Sequence, residues 1–263
     1  MYYDLNVPWQ PDTVASLPQQ LASLEKCMVH TIDSCLVGYH AVAINHRVEG
    51  KLPKTVSCDY YASGRTPLRQ YTRLTLVLSD PQQNYGINAG NEVIRSYDLL
   101  AVQPETEKMF HSACTNLDID IISLDMTVRL PFPVRAGYLR QALARGIVFE
   151  LLYAPIIVDA TARRNIIGNA RTLQRLALKG DGLLVTGGAE SVWSLRAPAD
   201  VINLTGLLGV PAHRRKNCLE GTAAATVMHA ASRKFTHKSA VTILPTESEQ
   251  KNTDMLDDFV EFK

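Results

Sequence analysis

The side chains best placed for chemistry are carboxylates near strand-like runs. Asp4 and Asn6 alternate along one apolar run, and Asp118 and Asp120 along another. Residues two apart in a strand share a face, so each pair could hold a divalent cation or move a proton. With His46 at a further strand end, Asp4, Asp118 and Asp120 outline a metal-dependent phosphoesterase with non-standard ligands. The other role for such carboxylates is structural, as strand caps and acceptors for loop N–H groups. The seven histidines include no H-x-H and no H-E-x-x-H. No G-x-S-x-G elbow presents a serine nucleophile. Five scattered cysteines without a C-x-x-C pair speak against a disulfide framework or a cysteine-bound zinc. They fit a reducing compartment. Gly187-Gly188, after the apolar Leu184-Val185-Thr186, suits either a backbone cradle for phosphate or a tight turn needing positive φ.

Charge supplies the second signal. The formal net charge is only +1, yet it is segregated along the chain. Residues 1–123 carry 9 basic and 13 acidic side chains, and residues 124–238 carry 16 basic and 7 acidic. Residues 239–263 are acidic again, with 2 basic and 6 acidic. Twelve of the sixteen central cations are arginine, whose planar fork suits phosphate better than a point charge does. Arg164, Arg171 and Arg175 fall on one side of a helical pattern, opposite its apolar stripe. Arg214-Arg215-Lys216 stands where a helix is expected to start, so the cations would oppose the helix dipole and call for a compensating anion. The expected phosphate contacts are Arg163, Arg164, Arg171, Arg214, Arg215, Lys216, Arg233 and Lys234, with Arg129 in a loop as a further candidate.

The elements that must position these residues alternate. Strands are expected at 2–7, 40–45, 71–78, 97–102, 119–124, 147–153 and 182–186, short and almost continuously apolar, as parallel strands covered on both faces are. Helices are expected at 17–37, 134–145, 160–178, 199–208 and 215–231, the third capped by Asp159. Residues 47–70 read as a polar loop. Seven or eight β/α units in this length favour a TIM-like (β/α) barrel over an open sheet. The absence of G-x-G-x-x-G and G-x-x-x-x-G-K-[ST] removes the usual support for a nucleotide-binding open sheet. The barrel is expected over 1–238, with a flexible acidic tail over 239–263. No apolar run approaches the ~20 residues of a membrane span, and no secretory leader is expected from the first residues.

Several segments together resemble one family. They are Asp4-Leu5-Asn6-Val7-Pro8, Asn116-Leu117-Asp118-Ile119-Asp120-Ile121-Ile122, Arg129-Leu130-Pro131-Phe132 and residues 146–153. Val185-Thr186-Gly187-Gly188-Ala189, residues 198–204 and Arg215-Lys216-Asn217-Cys218 complete the series. In this order they resemble the 30-kDa protein subunit family of nuclear RNase P and RNase MRP. The resemblance implies a barrel similar to the polymerase-and-histidinol-phosphatase superfamily, whose metal-dependent members open with His-x-His. Asn6 and Pro8 stand at those positions, so the inherited metal site is expected to be dismantled. It further implies a non-catalytic subunit in the nucleus and nucleolus, supporting a catalytic RNA in pre-tRNA 5′-leader removal and rRNA processing. No cofactor is expected on the chain itself, magnesium being carried by the RNA. Partners implied are that RNA, precursor tRNA indirectly, a small ferredoxin-like subunit and other subunits of the particle.

Overall fold

The structure, a computed structural model, describes residues 1–9, 38–50, 69–80, 87, 91–178, 181–237 and 241–242. The helix expected at 17–37, Cys27, Cys35, Cys58 and the tail beyond residue 242 lie outside the described residues.

Seven parallel strands follow one another around a nearly closed barrel in chain order. They are β1 (Tyr2–Trp9), β2 (Tyr39–Glu49), β3 (Arg69–Leu78), β4 (Leu99–Pro104), β5 (Ile121–Ser123), β6 (Val148–Leu152) and β7 (Leu183–Thr186). The described helices are α1 (Glu92–Ser96), α2 (Glu107–Thr115), α3 (Ala136–Ala144), α4 (Ala154–Val158), α5 (Ala160–Leu173), α6 (Pro198–Thr205) and α7 (Gly221–Phe235). The strands read as mostly apolar runs because both faces are buried, one inside the barrel and one under the helices. Residues 47–49 and 69–70, expected in a loop, extend β2 and β3 instead. Arg47, Val48 and Glu49 pair with Thr75, Leu76 and Val77, so ladder hydrogen bonds override their polar composition.

The local signals at the later helices act as expected. Asp159 caps α5 by accepting from the N–H groups of Thr161 and Ala162 at 3.1 and 2.8 Å. Pro198 opens α6. The helix expected from residue 215 starts only at Gly221, after two 3₁₀ turns at Ala212–Arg214 and Lys216–Cys218.

Between β7 and β1 there is no strand ladder. Above, the Gly188 N–H donates to the Asn6 carbonyl at 2.9 Å; below, the Tyr3 N–H donates to the Leu219 carbonyl at 3.1 Å. The turn before α7 therefore stands where an eighth strand would close the ring. α7 then stoppers the barrel floor. Its Ala223, Val227, Ala230 and Ala231 pack against Tyr3, Tyr71, Leu99 and other inward-facing residues. Small side chains on the helix allow that close approach. A two-stranded antiparallel piece, β8 (Thr236–His237) with β9 (Val241–Thr242), follows α7. No helix among the described residues is long and apolar enough to cross a membrane.

Candidate functional site

The barrel interior is charged where a barrel usually carries Val, Ile and Leu. Arg73 from β3 and Glu150 from β6 are completely buried and face each other, with Nη1–Oε1 at 2.5 Å and Nη2–Oε2 at 2.6 Å. Around this fork, Thr186 and Asn6 donate to Glu150 Oε1 at 2.7 and 3.1 Å. Arg73 also donates to the Leu5 carbonyl and to Thr75 Oγ1. Thr75 in turn donates to Asn45 Oδ1 at 2.6 Å, and Asn45 Nδ2 donates to Asn6 Oδ1 at 2.9 Å. Burial pushes the Glu150 carboxyl up, but the Arg73 charge and the hydrogen bonds from Arg73, Ser123 and Thr186 outweigh it and hold Glu150 below its ordinary value.

This network does not fit a metal ion. The two amide atoms of Asn6 are spent on Glu150 and Asn45, and a guanidinium supplies the positive charge that Glu150 requires. The four ligands proposed from sequence are not brought together. Asp120 lies on the floor beneath α7, and Asp118 is exposed before β5. His46 Nδ1 lies 2.9 Å from the Tyr97 hydroxyl, with its ring edge-on to Trp9. Among the described residues, no three His, Cys, Asp or Glu side chains are grouped to hold a metal. Above the network, a cavity of ≈ 380 Å³ opens at the barrel mouth, lined by Asn6, Asn45, Thr75, Gln103 and Ser123 among others.

Asp4 sits at the seam between β1 and β7. Its Oδ1 accepts from the N–H groups of Gly187 at 2.9 Å and Asn6 at 3.2 Å, while the buried Oδ2 has no partner. Burial is the main cause that pushes this carboxyl up to about 6. The fold therefore favours the protonated form, and stability falls as pH rises from near 4 through 6. Asp4→Asn removes the charge and keeps an acceptor for both N–H groups. Its NH2 takes the place of the unpartnered Oδ2, a cost that is the same at every pH, so relative to Asp4 the variant is expected to be better by about 2 kcal/mol at pH 7.5 than at pH 4.5. Urea unfolding of both proteins at pH 4.5 and 7.5 checks this; an equal difference at both values would sink it.

The Gly187-Gly188 pair is a turn, not a phosphate cradle. Both N–H groups are used inside the chain, by Asp4 Oδ1 and the Asn6 carbonyl. Gly188 has φ +58, as a tight turn requires, and a Cβ on Gly187 would stand 2.5 Å from Asp4 Oδ2.

A second buried charge cluster ties α7 to the barrel floor. Asp120 accepts from Arg233 Nη2 at 2.9 Å and from Arg233 Nε at 3.1 Å, with His229 Nδ1 at 2.8 Å. Lys234 Nζ donates to Asp98 at 2.9 Å. The Arg233 side chain is only 3% exposed and that of Lys234 10%. Arg233 and Lys234, both named among the expected phosphate contacts, are thus placed against carboxylates of the barrel floor. Cys114 and Cys218 are buried free thiols, each pushed up to about 12 by burial, which removes them as nucleophiles.

Some of the remaining arginines are brought together around one outer turn. Arg164, Arg171 and Arg175 are exposed along α5 and the π turn Gln174–Leu178 that continues it. Arg171 Nε donates to the Leu207 carbonyl at 3.1 Å. Arg215 Nε donates to the Val210 carbonyl at 3.2 Å, with its guanidinium over Gly206. The turn at 206–210 is thus gripped from two sides, and two basic segments separate in sequence become neighbours. Arg171, Arg175, Gly209 and Pro211 line an open groove of ≈ 600 Å³ there. Arg163 caps the end of α4, donating to the carbonyls of Ile156 and Ile157. Arg129 is exposed in a loop that Asn165 and Asn169 tether to α5. Arg214 pairs with Asp181, and Lys216 with Glu220. With α7 starting later than expected, these two cations have protein anions beside them, and the helix-dipole argument for a missing phosphate at 214–216 no longer holds.

The profile of one family, RNase P subunit p30, matches residues 1–235. This chain belongs to the RNase P subunit p30 family. It is 36% identical over 210 residues to the mouse ribonuclease P protein subunit p30, covering 75% of this chain and 78% of that protein. It is 30% identical over 243 residues to the probable ribonuclease P protein subunit 3 of Schizosaccharomyces pombe, covering 91% and 97%. It is 35% identical over 214 residues to Protein GAMETOPHYTE DEFECTIVE 1 of Arabidopsis thaliana, covering 80% of this chain but only 37% of that longer protein. A chain from a structure of archaeal ribonuclease P with mature tRNA shares the fold, with TM-score 0.63 at 16% identity, covering 94% of this chain and all of that one.

For this p30-family chain, sequence reasoning missed Arg73, Glu150 and Asn45. A usable signal existed. Glu150 interrupts an otherwise apolar strand and Arg73 stands within an expected buried one, and a charge that a buried strand tolerates needs a partner across the barrel.

Proposed function

We propose that this chain is a non-catalytic protein subunit of RNase P, and of RNase MRP. In this reading it binds and stabilises the catalytic RNA for pre-tRNA 5′-leader removal and rRNA processing. Relatives named as ribonuclease P subunits support the reading, as does one bearing the name ribonuclease P/MRP protein subunit RPP1. The observation that carries it is the arginine face built from α5 and the 206–215 segment. Folded RNA crowds phosphates together, and fixed guanidinium groups relieve that repulsion. Magnesium belongs to the RNA, precursor tRNA is met indirectly, and a small ferredoxin-like subunit and further subunits complete the particle. The location is the nucleus and, with rRNA processing, the nucleolus. Tagged purification with and without ribonuclease tests the assignment. Structured RNA should co-purify, with leader cleavage that ribonuclease destroys; a ribonuclease-resistant phosphoesterase activity would instead revive the metal-enzyme reading.

The face makes a quantitative prediction. Arg164→Gln, Arg171→Gln and Arg175→Gln together should lower the slope of log affinity against log salt by about 2–3, given roughly 0.7–0.9 per phosphate contact. Filter binding to the particle RNA over a salt series measures it. An unchanged slope would place the phosphates elsewhere.

A further inference from the structure

Trp193 is 89% exposed. It sits in the 3₁₀ turn Val192–Ser194 after β7. The Ser194 N–H and hydroxyl both bond to the Ser191 carbonyl, at 3.1 and 2.8 Å. Arg196 Nη1 donates to the carbonyls of Trp193 and Leu195 at 2.9 and 2.6 Å. The Arg196 backbone is itself held by the hydroxyls of Tyr153 and Tyr39. A rigid turn thus holds an indole ring out in water.

Its surroundings bear on what covers it. The turn packs against α4, whose last residue, Val158, is 74% exposed. Arg163 folds back onto the end of α4, the helix that the turn packs against, and Arg196 closes the turn itself. Asp159, four residues before Arg163, is committed as the cap of α5. α5 then leads from this end toward Arg164, Arg171 and Arg175 at 1.5 Å per residue. An exposed indole flanked by arginines, at the head of an arginine band, is the composition of a surface for unpaired nucleotides, where the ring stacks on a base and the cations hold its phosphates.

We propose that Trp193 is a stacking platform for an unpaired nucleobase of a structured RNA, with Arg163 and Arg196 on the flanking phosphates. This rests on the reading of the chain as an RNA-binding subunit. It adds that contact extends from the outer face to the end of the barrel where the chain leaves β7. Stacking tolerates any base, so the platform fixes position more than sequence.

Two tryptophans are present, Trp9 and Trp193, so Trp9→Phe leaves Trp193 as the only indole. The full chain with that change is titrated with a single-stranded 12-nucleotide RNA of mixed sequence and with a duplex of the same length. Quenching of Trp193 by the single strand and much less by the duplex is expected. Trp193→Ala should weaken single-strand binding about 5- to 150-fold, from 1–3 kcal/mol per stacked base, while leaving the salt slope unchanged. Trp193→Phe should restore most of the affinity. Unchanged affinity of Trp193→Ala without quenching overturns the platform while the arginine face stands. Loss of a protein subunit from the purified particle with RNA affinity intact also overturns it and makes Trp193 a protein anchor. No RNA binding by the unsubstituted chain, alone or in the particle, removes the RNA-binding reading itself.

Discussion

Glu150→Gln is expected to cost about 3–5 kcal/mol of unfolding free energy, among the largest effects of any single change in this chain. The reason is what remains behind. Arg73 is completely buried, and Glu150 supplies both acceptors of its fork. An amide in that place turns a donor toward Arg73 Nη2 and leaves a guanidinium charge with no counter-charge in a dry interior. Thr186 and Asn6 keep an acceptor, so the loss reports chiefly on the unpaired charge. The double change Arg73→Met with Glu150→Gln should recover part of the loss, because no lone charge is left. Urea unfolding of the four proteins forms a double-mutant cycle; a Glu150→Gln cost below about 1 kcal/mol would show that the pair does not organise the core. The folded Glu150 carboxyl lies below its ordinary 4.5. Its contribution is present above that value and is lost as pH falls through the folded pKa.

Asp120→Asn should be comparably damaging, by about 3 kcal/mol, and the damage should begin at α7. Asp120 accepts from Arg233, from His229 and from the Leu100 N–H, so one carboxylate joins the floor of the barrel to its stopper. Burial pushes its carboxyl up, but the Arg233 charge with the His229 and Arg233 hydrogen bonds holds it below 3.8. The hydrogen bond to Asp120 raises His229 above 6.5, against burial. The two signs differ. The carboxylate's contribution is present above about pH 4 and is lost as pH falls through its lowered value. The histidine's contribution is complete below pH 6.5 and is lost as pH rises through its raised value. The latch is therefore strongest between about pH 4 and 6.5. Hydrogen exchange of the α7 amides at pH 5.5 and 8, with labelling times corrected for intrinsic rate, should show weaker protection at the higher pH. His229→Gln should remove that difference. A pH-independent latch in the unsubstituted chain would refute the assignment of His229.

Both predictions concern charges that hold the scaffold, and this separates two uses of arginine. Arg73 and Arg233 are structural because each is buried against a carboxylate. Arg164 and Arg175 are exposed, and Arg171 grips a turn through Nε while remaining exposed.

The architecture was legible in the sequence. Each strand is a mostly apolar run, and parallel burial on both faces produces such runs wherever it occurs. The cap at Asp159 and the start at Pro198 were legible too, because a helix end is satisfied by residues within one turn. The likeness to the RNase P subunit family was legible in the order of short segments. The ligand set Asp4, Asp118, Asp120 and His46 was misleading. Alternation places two residues on one strand face, but it does not say which end of the barrel they occupy or what already fills their hydrogen bonds. Three decisions belonged to the tertiary structure alone: that α7 turns under the floor and takes Arg233 and Lys234 with it, that Arg171 and Arg215 meet around one turn, and that Arg73 stands opposite Glu150. Each joins residues distant in the chain, and whether a charge serves the fold or faces a partner depends on what lies across from it, which a linear pattern does not contain.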